Sequence, residues 1–248
     1  MSSDQSTGTL YLIPVTLGKT PENNTIPEYV LDVIRRLEVL IVENVKTARN
    51  FLQWVGDTVP EYEIEFLLLN KNTSDEEVDS FLDPLLEGKD VGLMSEAGTP
   101  VIADPGSSLI QRVHERGIKV TPLTGPSSIF LALMASGFNG QQFTFTGYLP
   151  RESSKRQSTI QSLEKESRQK ERTILFMETP HRNNDLMQAV INTCNPDTHF
   201  CVAASLTLPD ELIVSEPVRA WKKRDKLPDL TDKPAIFLIF AGNPRNLT

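Results

Sequence analysis

The sequence is poor in the residues that build disulfide frameworks and metal sites. Its 248 residues include only two cysteines, Cys194 and Cys201, and three histidines that are scattered along the chain. The cysteines have no Cys-x-x-Cys spacing and no histidine cluster nearby, so the pattern supports neither a disulfide framework nor a zinc site. We therefore expect no metal centre.

Positive charge and long apolar runs are also scarce. The chain has 25 basic and 33 acidic residues, a formal net charge of −8, which opposes the approach of a polyanion. A nucleic acid would need a local basic patch, and two clusters, 151–156 and 219–226, are either such patches or solvated faces. No apolar run approaches the roughly 18 residues of a membrane span, and the N-terminus is not signal-like. These absences predict a cytoplasmic protein that does not cross a membrane.

What the sequence does contain is an alternation of short apolar runs with segments of helical periodicity. Apolar runs lie at 9–15, 39–42, 64–69, 91–94 and 118–122, and the segments between them repeat apolar residues every three or four positions. This order predicts a parallel sheet flanked by helices. One of these helices starts with the capping box Ser74-x-x-Glu77 and continues to Leu86.

Beyond Gly137 the pattern changes, which indicates a second domain. We predict strands at 143–148, 173–177, 200–204, 214–221 and 235–241, the last two antiparallel, with a basic loop at 151–155 and a charged helix at 159–170. The fold class is therefore α/β with two domains, residues 1–123 with a mostly parallel sheet and residues 124–248 with a mixed sheet.

The segment from Ser95 to Gly106 is the clearest candidate for a ligand loop. It joins a predicted strand to a predicted helix and holds two glycines and two prolines. In open α/β sheets, ligands bind beyond the carboxyl ends of the strands, where such a loop offers backbone amides and a helix N-terminus. The same composition is also typical of a plain connection. The turn at 123–128 is a second candidate, since Ser127 and Ser128 can cap a helix or bind a carboxylate ligand.

Neither loop contains a known phosphate-binding or nucleophile motif. There is no G-x-x-x-x-G-K-[ST], no G-x-G-x-x-G after the first strand and no G-x-S-x-G elbow. The residues by themselves indicate an α/β protein that binds a small polar ligand, and they leave the reaction open.

Five segments, taken together and in order, resemble the signature blocks of the tetrapyrrole-methylase superfamily. Within it they are most similar to the bacterial 16S ribosomal RNA cytidine 2′-O-ribose methyltransferases. The segments are Leu10–Pro14, Ser95–Gly106, Thr124–Ser128, Phe145–Pro150 and Met177–Arg182. The resemblance implies S-adenosylmethionine (SAM) as methyl donor, bound in the cleft between two α/β domains, and a homodimer.

The resemblance also implies which positions hold the donor, largely through backbone and apolar contacts. The matching positions in this chain are Pro14, Gly98, Thr99, Ile102, Ser127, Ser128, Met177, Leu206, Pro234 and Ala235. Such a site suits methyl transfer, because an in-line displacement from a sulfonium needs positioning more than a covalent nucleophile.

The acceptor side departs from the family pattern more than the donor side does. Where the relatives have Glu-Asp-Thr-Arg, this chain has Glu43-Asn-Val-Lys46, and their Arg-Glu-Leu-Thr-Lys block reads Ala-Ser-Leu-Thr-Leu at 204–208. We predict that Glu43 orients or deprotonates the acceptor hydroxyl, although it could equally be a solvated carboxylate at a helix start. Lys46, Arg49 and Arg182 would help to place an anionic substrate. Glu96, where the relatives carry aspartate, can serve structure alone.

Three functions stay open at this point. The first is SAM-dependent methylation of ribosomal RNA, which the overall resemblance favours and the net charge opposes. The second is methylation of a small molecule such as a tetrapyrrole. The third is a SAM-binding regulatory protein that has lost catalysis.

Overall fold

The chain folds into two compact units, one ending at Ser127 and the other beginning at Ser128. The computed structural model describes residues 6–20, 22 and 25–243. The last strand of the first unit ends at Pro122 and the first helix of the second begins at Ser128, so the change of unit falls in the loop at 123–127.

The first unit is built on a parallel sheet of five strands. They are β1 (Thr9–Ile13), β2 (Val39–Val42), β3 (Glu65–Leu68), β4 (Val91–Met94) and β5 (Lys119–Pro122), in the order β3-β2-β4-β1-β5. All four pairings are parallel, and Met94 is level with both Ile13 and Val42. The loops that follow β1, β2 and β4 therefore start at one edge of the sheet, as the predicted parallel arrangement requires.

Five helices cover the two faces of this sheet. They are α1 (Glu28–Arg35), α2 (Val45–Val55), α3 (Asp75–Ser80), α4 (Asp83–Leu86) and α5 (Ser107–Glu115). The buried residues of α1 and α2 pack in one apolar core, and those of α3, α4 and α5 pack in a second core. This division explains why β2 and β4, at the centre, are apolar along their whole length.

The predicted helix from Ser74 to Leu86 is divided in two. The capping box is present as predicted: Ser74 Oγ accepts from the Glu77 amide at 3.3 Å, and Glu77 Oε2 accepts from the Ser74 amide at 2.8 Å. The helix then ends at Ser80 and a new one starts at Asp83. Pro84 explains the break, because it has no amide hydrogen to donate to the carbonyl of Ser80.

The second unit has a mixed sheet. Its strands are β6 (Phe143–Tyr148), β7 (Thr173–Met177), β8 (His199–Ala204), β9 (Leu212–Pro217) and β10 (Ala235–Phe240), in the order β6-β7-β10-β8-β9. Only β6 and β7 pair in parallel, and β10 runs antiparallel to both its neighbours. The helices are α6 (Ser128–Ser136), α7 (Ser153–Lys170), α8 (Asn183–Thr193) and α9 (Val218–Trp221). The two-sheet α/β fold class is confirmed.

Two local predictions for this unit were wrong. The strand predicted at 214–221 stops at Pro217, and Val218–Trp221 form a short helix. Pro217 has the extended backbone of an N-cap, and the Trp221 indole donates to the Phe200 carbonyl at 3.0 Å, which fixes the turn. The charged helix starts at Ser153 instead of 159, so part of the predicted basic loop is helical.

Within the described residues, no helix is long and apolar enough to cross a membrane.

Candidate active site

Three loops at the carboxyl edge of the first sheet are packed together. Val15, after β1, and Gly98, after β4, exchange two backbone hydrogen bonds of 2.8 and 3.0 Å. A Cβ placed on Gly125, in the loop after β5, would lie 2.2 Å from Cβ of Pro14, so only glycine allows this approach. The structure thus brings the predicted donor positions Pro14 and Gly98 together with the loop that leads to Ser127. Both polar groups of the Gly98 backbone are occupied by Val15, so Gly98 joins the loops to each other.

The loop between β4 and α5 carries unusual backbone strain. Val101 and Ala103 have φ angles of 73° and 69°, a region that β-branched residues in particular avoid. Between them, Ile102 exposes 51% of its surface. Strain of this kind persists only where surrounding contacts enforce it, and it is common at ligand sites. Thr99 in the same loop is partly buried, as are Ser127, just before α6, and Ser128, its first residue.

An open acidic pocket lies beyond β3, β2 and β4. Its volume is about 370 Å³, and its lining consists of Glu43, Asn44, Asn70, Lys71, Glu96, Asp104 and Pro105. The strand order explains why these residues meet, because they follow the ends of three neighbouring strands. We call it the acidic pocket, since three carboxylates face one lysine in it.

Glu43 is the most perturbed of these carboxylates. Its pKa is raised to about 7, chiefly by burial and then by the negative charges of Asp104 and Glu96. Its Oε1 atom is buried and has no hydrogen-bond partner in the described part of the chain. A carboxyl group in this state is half ionised near neutral pH, which suits a general base.

The other two carboxylates are held by neighbouring side chains. Burial raises the pKa of Asp104, a hydrogen bond from Ser95 lowers it, and the charge of Glu96 raises it. Glu96 Oε1 accepts a hydrogen bond of 3.0 Å from Thr47 Oγ1 on α2. Glu96 therefore lines the acidic pocket and adds to its negative charge, besides the structural role considered from the sequence. The sequence did not single out Asp104 as a functional residue, although it lies within the candidate ligand loop from Ser95 to Gly106.

The cations predicted to place a substrate have different surroundings. Lys46 is exposed in the first turn of α2, whose N-cap is Asn44. Arg49, further along α2, forms an ion pair of 2.8 Å with Glu61 and lies over the ring of Phe66. Of these two cations, Lys46 is close in sequence to Asn44 of the acidic pocket, whereas Arg49 is paired with Glu61.

The second unit brings its four predicted donor positions to one edge of its sheet. Met177 ends β7, Leu206 follows β8, and Pro234 and Ala235 lead into β10. Strand register aligns Met177 with Ile236 and Ala235 with Ala204. The Pro234 carbonyl accepts from the Ser205 amide at 2.9 Å. The segment after β8 is strained like the loop after β4, since Ser205 and Thr207 have φ angles of 50° and 69°.

Arg182 is fixed by a partner that sequence reasoning missed. Its Nη2 lies 2.5 Å from Oε2 of Glu178, a carboxylate whose side chain is fully buried. Its Nε donates to Thr179 Oγ1 at 3.1 Å, and the Thr179 amide donates to the same Glu178 oxygen at 2.7 Å. Because Arg182 is 20% exposed, it presents a held guanidinium edge to solvent. The sequence carried little signal for this pair, because Glu178 lies between β7 and the following turn and not on a helix, where a spacing of four residues would indicate contact.

The second basic cluster is only partly neutralised. Arg219 pairs with Asp197, and Arg224 pairs with Glu216 at 2.5 Å while lying over the Trp221 ring. Its lysines, Lys222, Lys223 and Lys226, are exposed. In the first cluster Lys155 pairs with Glu152 at 2.8 Å. A search of the described residues finds no group of three or more His, Cys, Asp or Glu side chains placed to hold a metal ion.

Comparisons with known proteins agree with this architecture. The family model for Tetrapyrrole (Corrin/Porphyrin) Methylases matches residues 9–221. Ribosomal RNA small subunit methyltransferase I of Escherichia coli O157:H7 is 30% identical over 228 residues, 91% of this chain and 76% of the relative. The protein of the same name from Buchnera aphidicola subsp. Schizaphis graminum (strain Sg) is 31% identical over 247 residues, 98% of this chain and 81% of the relative. The crystal structure of cobalt precorrin-4 methyltransferase superposes with a TM-score of 0.59 at 21% identity, over 94% of each chain.

Proposed function

The chain belongs to the tetrapyrrole (corrin/porphyrin) methylase family, and from this premise we propose that it is a SAM-dependent methyltransferase of small-subunit ribosomal RNA. The observation that carries the proposal is an identity of 30% and 31%, over 91% and 98% of the chain, to two curated ribosomal RNA small subunit methyltransferases. The acceptor we propose is a ribose 2′-hydroxyl. Action on ribosomal RNA goes with a cytoplasmic location.

The residues predicted to hold the donor fit a SAM molecule chemically. Leu206 and Ala235 are buried and apolar, and the Gly125–Pro14 approach leaves no room for a side chain. Both strained segments, at 101–103 and 205–207, lie at these positions, as expected where backbone is shaped around a ligand. We propose that all ten positions inferred from the family contact the donor. Where the donor lies with respect to the two units stays a prediction.

Glu43 is the group we propose as general base. When bound, SAM supplies an electrophilic methyl group on a sulfonium, and in-line transfer of that group to a hydroxyl oxygen releases one proton. Glu43, with a pKa of about 7 and an unpartnered oxygen, can accept this proton from the acceptor hydroxyl. The acidic pocket repels phosphate, so it suits the uncharged sugar hydroxyl while the phosphates are held elsewhere.

Cations outside the acidic pocket would hold the RNA backbone. We propose the exposed Lys46, the held Arg182 and the exposed lysines of the second basic cluster for this task. A local patch of this kind is needed because the whole chain has a net charge of −8. Binding that depends on such lysines weakens as salt is raised.

We also propose that the protein is a homodimer. Its support is an exposed apolar surface on the second unit, formed by Phe130 and Met134 of α6 and Phe143 of β6, which are 56%, 78% and 38% exposed. The Phe130 and Phe143 rings pack edge to face with centroids 6.0 Å apart. Contiguous apolar surface of this kind is typical of protein interfaces.

The test follows methyl transfer from SAM labelled in its methyl group to small ribosomal subunits that lack the modification. We expect label in the RNA, and a loss of roughly 10²–10⁴-fold in rate for Glu43→Gln, with unchanged affinity for S-adenosylhomocysteine by calorimetry. Glu76→Gln, which neutralises an exposed carboxylate on α3, is the matched control.

The other outcomes identify the alternative functions. Label in a tetrapyrrole or another small molecule, with none in RNA, would replace the proposed acceptor. Donor binding without transfer to any fraction of a cell extract would indicate a regulatory protein. Full activity of Glu43→Gln would leave the proposed acceptor standing and remove Glu43 as the base.

A further inference from the structure

Asp104 lines the acidic pocket together with Glu43, and the backbone on its N-terminal side is strained. Ala103, immediately before it, and Val101 both have positive φ angles, each a conformation that costs of order 1–3 kcal/mol. Val101 packs against the apolar core of α3, α4 and α5. A Cβ on Gly106 would lie 3.1 Å from Val101 Cγ2. The loop is thus pinned on both sides of Asp104, and its strained path directs this carboxylate to the pocket.

Among the residues that the structure describes, few charged groups line the acidic pocket with Glu43. Asp104 and Glu96 come from the loop after β4, Lys71 follows β3, and the remaining polar lining is Asn44 and Asn70. Lys46, on α2, is exposed. Apart from burial, the interactions that alter the proton affinity of Glu43 are those with Asp104 and Glu96, in that order. Glu43 therefore titrates under the influence of two negative charges, with Asp104 the stronger.

We propose that Asp104 is a positioning residue for methyl transfer, whose carboxylate sets the pH range in which Glu43 can take the proton of the acceptor hydroxyl. The inference rests on the proposed role of Glu43. In the step itself, the acceptor O–H bond breaks and its proton passes to the Glu43 carboxylate, while Asp104 exchanges no proton with the acceptor. The negative charge of Asp104 makes Glu43 a stronger base. It also means that a smaller fraction of Glu43 is ionised, and able to accept a proton, at acidic pH.

Removing that charge has a specific consequence for the pH profile. In Asp104→Asn the protonated form of Glu43 loses its strongest electrostatic support, so Glu43 ionises at lower pH. The acid limb of the transfer rate should move to lower pH by roughly half a unit, the size expected for a partly screened like charge. A role confined to holding the loop would lower the rate without moving this limb.

The experiment measures labelled methyl transfer to small ribosomal subunits from roughly pH 5.5 to pH 9, at saturating SAM. Asp104→Asn should move the acid limb to lower pH, and Asp104→Glu, which restores the charge, should return it to the wild-type position. Glu96→Gln should move it in the same direction by less. Glu76→Gln removes an exposed charge outside the acidic pocket and should leave the limb unmoved.

An unmoved limb in a folded Asp104→Asn variant overturns the inference, and so does loss of transfer at every pH with donor binding intact. Should Asp104→Asn fail to fold by thermal denaturation, Glu96→Gln decides, because Glu96 is exposed and an unmoved limb there contradicts the same argument. Failure of the proposed function is separate, because it appears as no transfer to RNA by the wild type at any pH. Wild-type transfer by Glu43→Gln would leave that function standing and remove the base on which the inference rests.

Discussion

Each sheet has one edge that carries predicted donor positions, and the acidic side chains at these two edges have opposite electrostatic surroundings. Beyond the first sheet, Glu43 and Asp104 lie in an open pocket where burial raises both pKa values. The charges of Asp104 and Glu96 also raise the pKa of Glu43, and the charge of Glu96 also raises that of Asp104. Beyond β7 of the second sheet, Glu178 is more deeply buried but is neutralised by Arg182 at 2.5 Å. An unpaired carboxylate lowers stability and persists where chemistry needs it, whereas a paired one holds its partner in place. This contrast is the reason for proposing proton transfer by Glu43 of the first unit and substrate anchoring by Arg182 of the second.

The two edges agree in one respect, which is the strain of the loops that carry the donor positions. Four of the seven non-glycine residues with positive φ in the described part of the chain are Val101, Ala103, Ser205 and Thr207. Each unit contributes two of them. The units therefore differ in the electrostatics of these edges and share a strained backbone at the predicted donor positions.

The strongest test of this contrast converts the paired carboxylate into an unpaired one. Arg182→Ala leaves the buried Glu178 charge without its cation, so we expect the free energy of unfolding in urea to fall by about 3 kcal/mol. Lys155→Ala, which breaks a pair of 2.8 Å between two exposed side chains, Lys155 and Glu152, should lower it far less, because exposed pairs contribute little to stability. The double variant Arg182→Ala/Glu178→Gln should recover part of the loss. A double variant no more stable than Arg182→Ala would show that the charge of Glu178 is not what Arg182 compensates.

The exposed apolar surface of the second unit provides the next test. Met134→Glu places a charge in the proposed dimer interface, so we expect dimer dissociation to become roughly tenfold easier or more, measured by sedimentation equilibrium. The matched control is Tyr62→Glu, since Tyr62 is 87% exposed on the first unit and lies outside this surface. A wild-type chain that sediments at 27.7 kDa, or equal dissociation in both variants, would contradict the proposed interface.

The smallest effect concerns the stability penalty of Glu43 itself. Its folded pKa of about 7 lies above the reference value of 4.5, so the folded state is weakened as pH rises through 7 and is unaffected below about 4.5. Glu43→Gln should therefore raise the free energy of unfolding by roughly 1–2 kcal/mol near pH 8, less than the full shift implies because the pocket is open to solvent. Near pH 4 the two proteins should be equally stable. A gain at pH 4 as large as that at pH 8 would point to packing instead of charge.

Much of the fold could be predicted because buried strands appear in the sequence as short apolar runs. The strands β2, β4, β6 and β7 have the predicted bounds. In β2, β4 and β7 the reason is nearly continuous burial, which permits few polar residues. β6 is a partly exposed edge strand, whose aromatic residues and threonines favour extended backbone. The failures came where one residue overrides periodicity. Pro84 interrupts a helix whose apolar pattern continues beyond it, and Pro217 ends a strand in a segment that reads as continuous.

The candidate site was less predictable than the fold. Glu43 was found because it matches a family position next to a helix start. Its raised pKa depends on Asp104, Glu96 and burial, and neither local periodicity nor the matched blocks indicated that these groups share a pocket. The role of Glu178 was not predicted either, because its burial arises from contacts between segments that are distant in the sequence. The basic helix start at Ser153 shows the opposite error, in which a polar segment was taken for a loop.

By itself, then, the sequence determined the family and most of the order of strands and helices, because burial patterns and turn residues are local properties of the chain. It also predicted the loops that we propose to bind the donor. Only the tertiary structure decided that β2 lies between β3 and β4. That strand order places Glu43, Glu96 and Asp104 around one pocket and leaves Arg182 to Glu178 in the other unit. Strand order and the electrostatics it creates arise from contacts between distant segments, and it is these contacts that turn a carboxylate at a helix start into a candidate base.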